Sequence, residues 1–267
     1  MRRLSLLFCL PALVSAAQPV VRDMSLTTLD GFVLKGTLTV PPQPGPRPVV
    51  ILAHQFQTDR SGWKPLADQL NAKGIATLAL DLRGHGQSTG KGGQTVAVTP
   101  DFLASAEAVG FQRIPGDLAQ AAAWVRRQPR INPRRLGLAG SSVGAFASLL
   151  AAPVIHPVAV LVLSPAGNGA FGEDAGLRMV RAVRQAHAAV LVMAAKDDTE
   201  AAENAGAITG GLGVCARMVP GSDHGFALFP DEGGIMAGWM GEYLAYRGPV
   251  AAKATKVARA VKPVEAP

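Results

Sequence analysis

Cysteine is nearly missing from this 267-residue sequence, with two in all. Cys9 falls in the amino-terminal apolar stretch, which leaves Cys215 alone in the body, so no disulfide framework can form within it. A lone cysteine of this kind reads as a small buried hydrophobe. Long apolar runs are missing as well. The run from Leu4 to Val14 is too short for a permanent bilayer span, and no later run is both long and unbroken enough. No cluster of His, Cys or carboxylates has metal-ligand spacing, so neither a metal nor another cofactor is expected. Internal repeats and composition breaks that would mark a second domain are also lacking. Finally, the body has little excess charge of either sign. The formal charge is +7, but Arg2 and Arg3 sit at the amino terminus. Lys253, Lys256, Arg259 and Lys262, against Glu265, sit in the last twenty residues, and the remainder carries about +2. That argues against an extended nucleic-acid surface.

The two ends read differently from the middle. Arg2-Arg3, the apolar run and Ser15-Ala16-Ala17 match a charged, apolar and small-residue leader, so residues 1–17 are expected to be a secretory signal and the protein secreted or periplasmic. Phe8 before Cys9 argues against a lipid anchor there. Residues 248–267, rich in Ala, Lys, Pro and Val, are expected to be a basic disordered tail, with weak contact to an anionic envelope surface as the alternative. Between them, residues 23–247 read as one domain of ordinary α/β size.

The body opens with two alternating runs around Asp30-Gly31, an antiparallel hairpin. Five short apolar runs follow: "PVVILAH", "GIATLALD", "RRLGLAGS", "PVAVLVLS" and "AVLVMAAK". Near-continuous runs of this kind are the mark of strands buried on both faces. Amphipathic stretches such as "GWKPLADQLNAKG" and "GDLAQAAAWVRRQ" lie between them, and "VCARMVPG" and "GGIMAGWMGEYLAY" supply a last strand and helix. The pattern predicts a mostly parallel, doubly wound α/β sheet without a large cap domain. In such sheets, chemistry gathers in the loops at the carboxyl ends of the strands.

Those loops hold the chemistry-bearing residues. Gly140-Ser141-Ser142-Val143-Gly144 has the G-x-S-x-G form of a nucleophile elbow, and so does Gly86-Gln87-Ser88-Thr89-Gly90. Context separates them. A buried strand precedes Ser142 and a small-residue helix follows it, whereas glycines follow Ser88, which therefore reads as a turn residue. Ser141 reads as scaffold. A serine hydroxyl needs a base, and the base needs a partner that holds its tautomer. His224, in the loop after the last strand, is the candidate base. His54 reads as shaping its own loop, His85 as a turn residue, and His156 and His187 lie at the opposite end of the sheet. Asp197 and Asp198 both follow the penultimate strand; Asp198 is preferred as the acid, with Asp197 open. Backbone amides of Val143 and of the Gln55–Phe56 region are the candidate oxyanion donors. The segment from Thr95 to Pro115, with Phe102 and Phe111, either lines an apolar pocket over the site or covers the core.

Taken together, "LAHQFQTDRSGW", "LALDLRGHGQS", "GLAGSSVGA", "AAKDDTEA" and "GSDHG" resemble the α/β-hydrolase fold, and in particular its dienelactone-hydrolase-like serine esterases. The resemblance covers about Met24 to Tyr246. It implies a triad of Ser142, an aspartate after the sixth parallel strand and His224, with an oxyanion amide from the loop that begins at His54. It also implies cleavage of small-molecule carboxylic esters through an acyl-enzyme. Two departures stand out. Gln55 occupies a place where members usually carry glycine; were that position left-handed, glutamine would strain it. The dienelactone hydrolases use cysteine where this chain has serine, so lactone specificity does not carry over. A peptidase or amidase, a thioesterase, and a non-catalytic binding protein on the same scaffold remain alternatives.

Overall fold

The computed structural model describes residues 18–210 and 214–245. The leader expected over residues 1–17 and the tail expected over 248–267 lie outside the described residues. The chain opens with β1 (Val20–Thr27) and β2 (Val33–Val40), paired antiparallel. The hairpin thus begins three residues before the expected start at Asp23, because Val20 and Val21 continue the alternation opposite Val40 and Thr39. There follow β3 (Arg47–Ala53), α1 (Lys64–Ala72), β4 (Ala76–Leu80), a small hairpin of β5 (Gly90–Lys91) and β6 (Gln94–Thr95), α2 (Phe102–Val109) and α3 (Ile114–Val125). The second half runs β7 (Ile131–Ser141), α4 (Val143–Ile155), β8 (Ala159–Leu163), α5 (Ala175–Ala186), β9 (Ala189–Ala195), α6 (Thr199–Thr209), β10 (Cys215–Val219) and α7 (Phe229–Ala245).

Eight strands form one sheet in the order β1-β2-β4-β3-β7-β8-β9-β10. The first two neighbours pair antiparallel and every pairing from β4 to β10 is parallel. The chain order reverses between β3 and β4, and the central pair β3–β7 lies beside that reversal, where an open sheet leaves a crevice at its carboxyl edge. Side chains alternate across the sheet with period two. Val49, Ile51 and Ala53 of β3 join the apolar layer with α3, α4 and α5, while Val50 and Leu52 join the layer with α1 and α7. The same division in β8 and β9 explains why these strands read as unbroken apolar runs. Both faces of each strand are buried, at about 25 cal/mol for each Å² of apolar surface removed from water.

The loop after β4 is fastened from beneath by a buried cation. Arg83, 1% exposed, donates to both oxygens of Asp117 on α3, at 2.7 and 2.8 Å, and to both oxygens of Asp30 in the β1–β2 turn, at 2.9 and 3.0 Å. Its guanidinium lies 4.9 Å from the centre of the Phe32 ring. These hydrogen bonds hold the Asp30 carboxyl down to about 2. A planar fork with five donors suits two carboxylates in a way that a lysine ammonium does not. Arg83→Met removes the guanidinium from the buried Asp117 carboxylate and leaves Asp30 only the Thr28 hydroxyl and the longer Arg113 contact. It is expected to lower unfolding free energy by about 3–5 kcal/mol in urea titrations at neutral pH.

Candidate active site

The β7–α4 turn is where backbone geometry and sequence constrain each other most tightly. Ser142, between strand and helix, takes φ +53° and ψ −119°. For a residue other than glycine that conformation costs on the order of 1–3 kcal/mol and persists only where neighbours enforce it. The neighbours here are visible. Ser142 N–H donates to Leu163 O at 2.9 Å and its carbonyl accepts from Phe146 N–H at 3.0 Å, which tie the turn to β8 and to α4. A Cβ on Gly140 would lie 2.2 Å from Gly144 O, and one on Gly144 would lie 2.3 Å from Ala53 O and 2.5 Å from His54 O. Both glycines are thus required by close approach of backbone to backbone. Ser88, in the competing match, is fully buried; its hydroxyl donates to Asp81 O and accepts from Lys35 N–H, each at 2.8 Å. It is a structural turn residue.

The parallel ladder carries two further loops to the same edge. Lys196 and Asp197 donate their backbone N–H groups to Val219 O and Gly221 O, both at 2.9 Å, which holds the loop after β9 against the loop after β10. Asp198 stands at the N-cap of α6 but its side chain makes no capping bond. Instead Asp198 Oδ2 lies 2.7 Å from His224 Nδ1. Asp197 is exposed, so of the two carboxylates only Asp198 meets the imidazole. With Nδ1 facing a carboxylate, a neutral ring carries its proton there and its lone pair on Nε2. Ser142 and His224 line one cavity of about 340 Å³, together with Gln55, Phe56, Phe102, Ala166, Gly167 and Glu200. Val143, directly after Ser142, is the first residue of α4, where an amide has no intrahelical acceptor.

The segment from Thr95 to Pro115 combines both of its expected roles. Phe102, at the start of α2, lines the cavity. Phe111 is fully buried behind it, with ring centroids 5.9 Å from Phe102 and 6.1 Å from Phe56. The condition under which Gln55 would be strained is not met. The left-handed residue of this loop is Gln57, at φ +57°, and Gln55 is not among the positive-φ positions, so the glutamine that replaces the usual glycine carries no such strain. Two residues escaped sequence reasoning. Ser164, which ends the run "PVAVLVLS", accepts from Gly225 N–H at 2.9 Å. Glu200 reaches the cavity wall while its Oε1 accepts from the Gly167 and Asn168 amides at 2.8 and 3.0 Å. The only signal for either was its place in a loop at the carboxyl edge.

Residues 44–202 match the family model described as serine aminopeptidase, S33. The chain belongs to this family. An uncharacterized protein of Mycobacterium tuberculosis is 27% identical over 151 residues, which cover 57% of this chain and 48% of that protein. The chain thus spans about half the length of the curated relatives it matches first. Among solved structures, acetyl xylan esterase 1 from Thermoanaerobacterium aligns over 87% of this chain and 86% of its own, with 20% identity and a TM-score of 0.66. Dienelactone hydrolase from Anabaena variabilis aligns over 91% and 96%, with 20% identity and a TM-score of 0.53. The architecture is that of the α/β hydrolases.

The remaining histidines of the site region are structural. His54 is fully buried; its Nδ1 donates to Gln55 O at 2.7 Å and its Nε2 accepts from Leu82 N–H at 2.9 Å. An N–H can only donate, so Nε2 must be bare, and burial pushes the His54 imidazole down to about 3. Burial also lowers the neighbouring His85. Between about pH 6.5 and the folded value the unfolded chain binds the extra proton, so stability is full above that window and falls with pH inside it. Each such histidine contributes up to about 1.4 kcal/mol per pH unit. Urea midpoints measured from pH 6.5 to 4.5 are expected to fall steeply in the native protein. In His54→Gln the slope should be shallower by about 1 kcal/mol per unit.

Proposed function

We propose that this chain is a serine hydrolase that cleaves small carboxylic esters. The observation that carries the proposal is the meeting of Ser142, on a strained elbow, with His224 in one cavity while the other nitrogen of His224 is bonded to Asp198. In the proposed reaction, His224 Nε2 takes the proton of Ser142 Oγ as that oxygen attacks the ester carbonyl carbon. The carbonyl oxygen becomes an oxyanion, for which the amides of Val143 and Phe56 are the proposed donors. As the intermediate collapses, the bond to the alcohol oxygen breaks and His224 returns its proton to that leaving group. Water, deprotonated by the same imidazole, then attacks the acyl-serine; the bond to Ser142 Oγ breaks, His224 returns the proton to that oxygen, and the acid is released. Asp198 fixes the ring and balances its charge when the imidazole holds the extra proton.

The cavity supports a substrate of modest size. At about 340 Å³, walled by Phe56, Phe102, Ala166 and Gly167, it stands at the lower end of small-ligand sites. A second reading, amide cleavage next to a free amino terminus, is favoured by Glu200, whose carboxylate in the same cavity could receive an ammonium group. The leader-like pattern of residues 1–17 supports action outside the cytoplasm.

p-Nitrophenyl acetate and butyrate are expected to turn over at least about tenfold faster than the palmitate ester, on the volume of the cavity. Ser142→Ala should lose about 10³-fold or more of kcat, while Ser141→Ala stays within about tenfold of the native protein. The reverse assignment of losses, or an inert native protein, would contradict the proposal. Faster cleavage of alanine p-nitroanilide than of its ester counterparts would favour the second reading.

A further inference from the structure

A single carboxamide oxygen joins three chain segments that come from distant parts of the sequence. Gln55 Oε1 accepts from Ser141 Oγ at 2.9 Å and from Phe226 N–H at 3.0 Å. Gln55 immediately precedes Phe56, Ser141 immediately precedes Ser142, and Phe226 lies two residues after His224. The amide has one orientation only, because a backbone N–H must meet an acceptor and the carboxamide nitrogen has none to offer. The space around the link is full. A Cβ on Gly225 would lie 2.0 Å from Gln55 Oε1 and 2.6 Å from Ser141 Oγ, and Gly225 takes φ +58°. Its N–H meets Ser164 Oγ at 2.9 Å. Ser141 and Ser164 are both fully buried, while Gln55 is half-buried at the cavity wall, so the serine side of the link is shielded from water.

We propose that Gln55 is a positioning residue for the hydrolytic reaction, its side-chain oxygen fixing the His224 loop and the nucleophile strand against the loop that bears Phe56. The proposal rests on the serine-hydrolase reading above. It gives the second serine of the elbow a purpose: Ser141 is the hydroxyl donor that completes the link. It also accounts for glutamine at a place where the enzymes this chain resembles usually carry glycine, since glycine would leave Ser141 Oγ and Phe226 N–H without this acceptor. Gln55 acts through groups that it holds, so its loss falls on the chemical step. Misplacement of a reacting group by about 1 Å is enough to cost about 10²-fold.

Gln55→Met keeps the length of the side chain and removes the acceptor; Gln55→Glu keeps an acceptor oxygen. With p-nitrophenyl acetate, Gln55→Met is expected to lower kcat by about 10- to 100-fold with KM within about threefold. The acid limb of its kcat/KM profile should move, because the imidazole is no longer fixed against Asp198. Gln55→Glu should recover kcat to within about tenfold of the native protein, and adding Ser141→Ala to Gln55→Met should cost less than about threefold more, since both changes cut one link. Circular dichroism and melting establish that each variant is folded. If Gln55→Met is not, Ser141→Ala alone carries the test, with kcat expected to fall by about three- to tenfold at unchanged KM. Native kcat and an unmoved pH profile in a folded variant, or a Glu variant no better than Met, would overturn the proposal while leaving the hydrolase reading intact. A native protein inert toward every ester would overturn both.

Discussion

The close approach of the β7–α4 turn to the end of β3 is the constraint on which the site depends. Gly140 and Gly144 let carbonyl groups of α4 and β3 occupy the volume where side chains would otherwise begin. That contact draws the first turn of α4 down onto the sheet and leaves Ser142 no regular conformation to adopt. The same compression sets Val143 N–H at the helix N-terminus, beside the serine and facing the crevice edge of the central strand pair. The strained serine and the first amide of α4 thus owe their placement to one packing contact.

Around that point the protein separates polar groups into those that work and those that hold. His54 and Arg83 are buried in complementary surroundings, one neutral and capped at both nitrogens, the other charged and forked between Asp30 and Asp117. Both stiffen the loops beneath the cavity. His224 is the contrasting case, with one nitrogen engaged by Asp198 and the other left available at the cavity wall. The difference lies in the bonds each ring already makes, since all the histidines share one chemistry. Asp198 shows the same economy: at a helix N-cap, where aspartate ordinarily caps, its carboxylate turns to the imidazole, still favoured by the helix dipole.

Much of this was legible in the sequence because buried parallel strands leave a coarse trace. Five apolar runs, each ending in a loop with Ser, Asp or His, suffice to order the edge of the sheet, and the helix-ready sequence after Ser142 separates it from Ser88. What stayed hidden is side-chain reach. Neither Asp197 nor Asp198 differs in type or period, and only the twist of the loop after β9 decides that one faces solvent and the other His224. Gln55 looked like a source of strain because its backbone angle is invisible in sequence; the left-handed turn falls two residues later, at Gln57. Its bonds to Ser141 and Phe226 span 86 and 171 residues of chain, beyond any local pattern.

Which oxygen becomes covalently modified decides between Ser142 and its neighbours. The protein treated with a fluorophosphonate, digested and sequenced by mass spectrometry should carry one phosphonate, on Ser142. A phosphonate on Ser141 or Ser88, or a native protein that takes up none, would contradict the role proposed for Ser142.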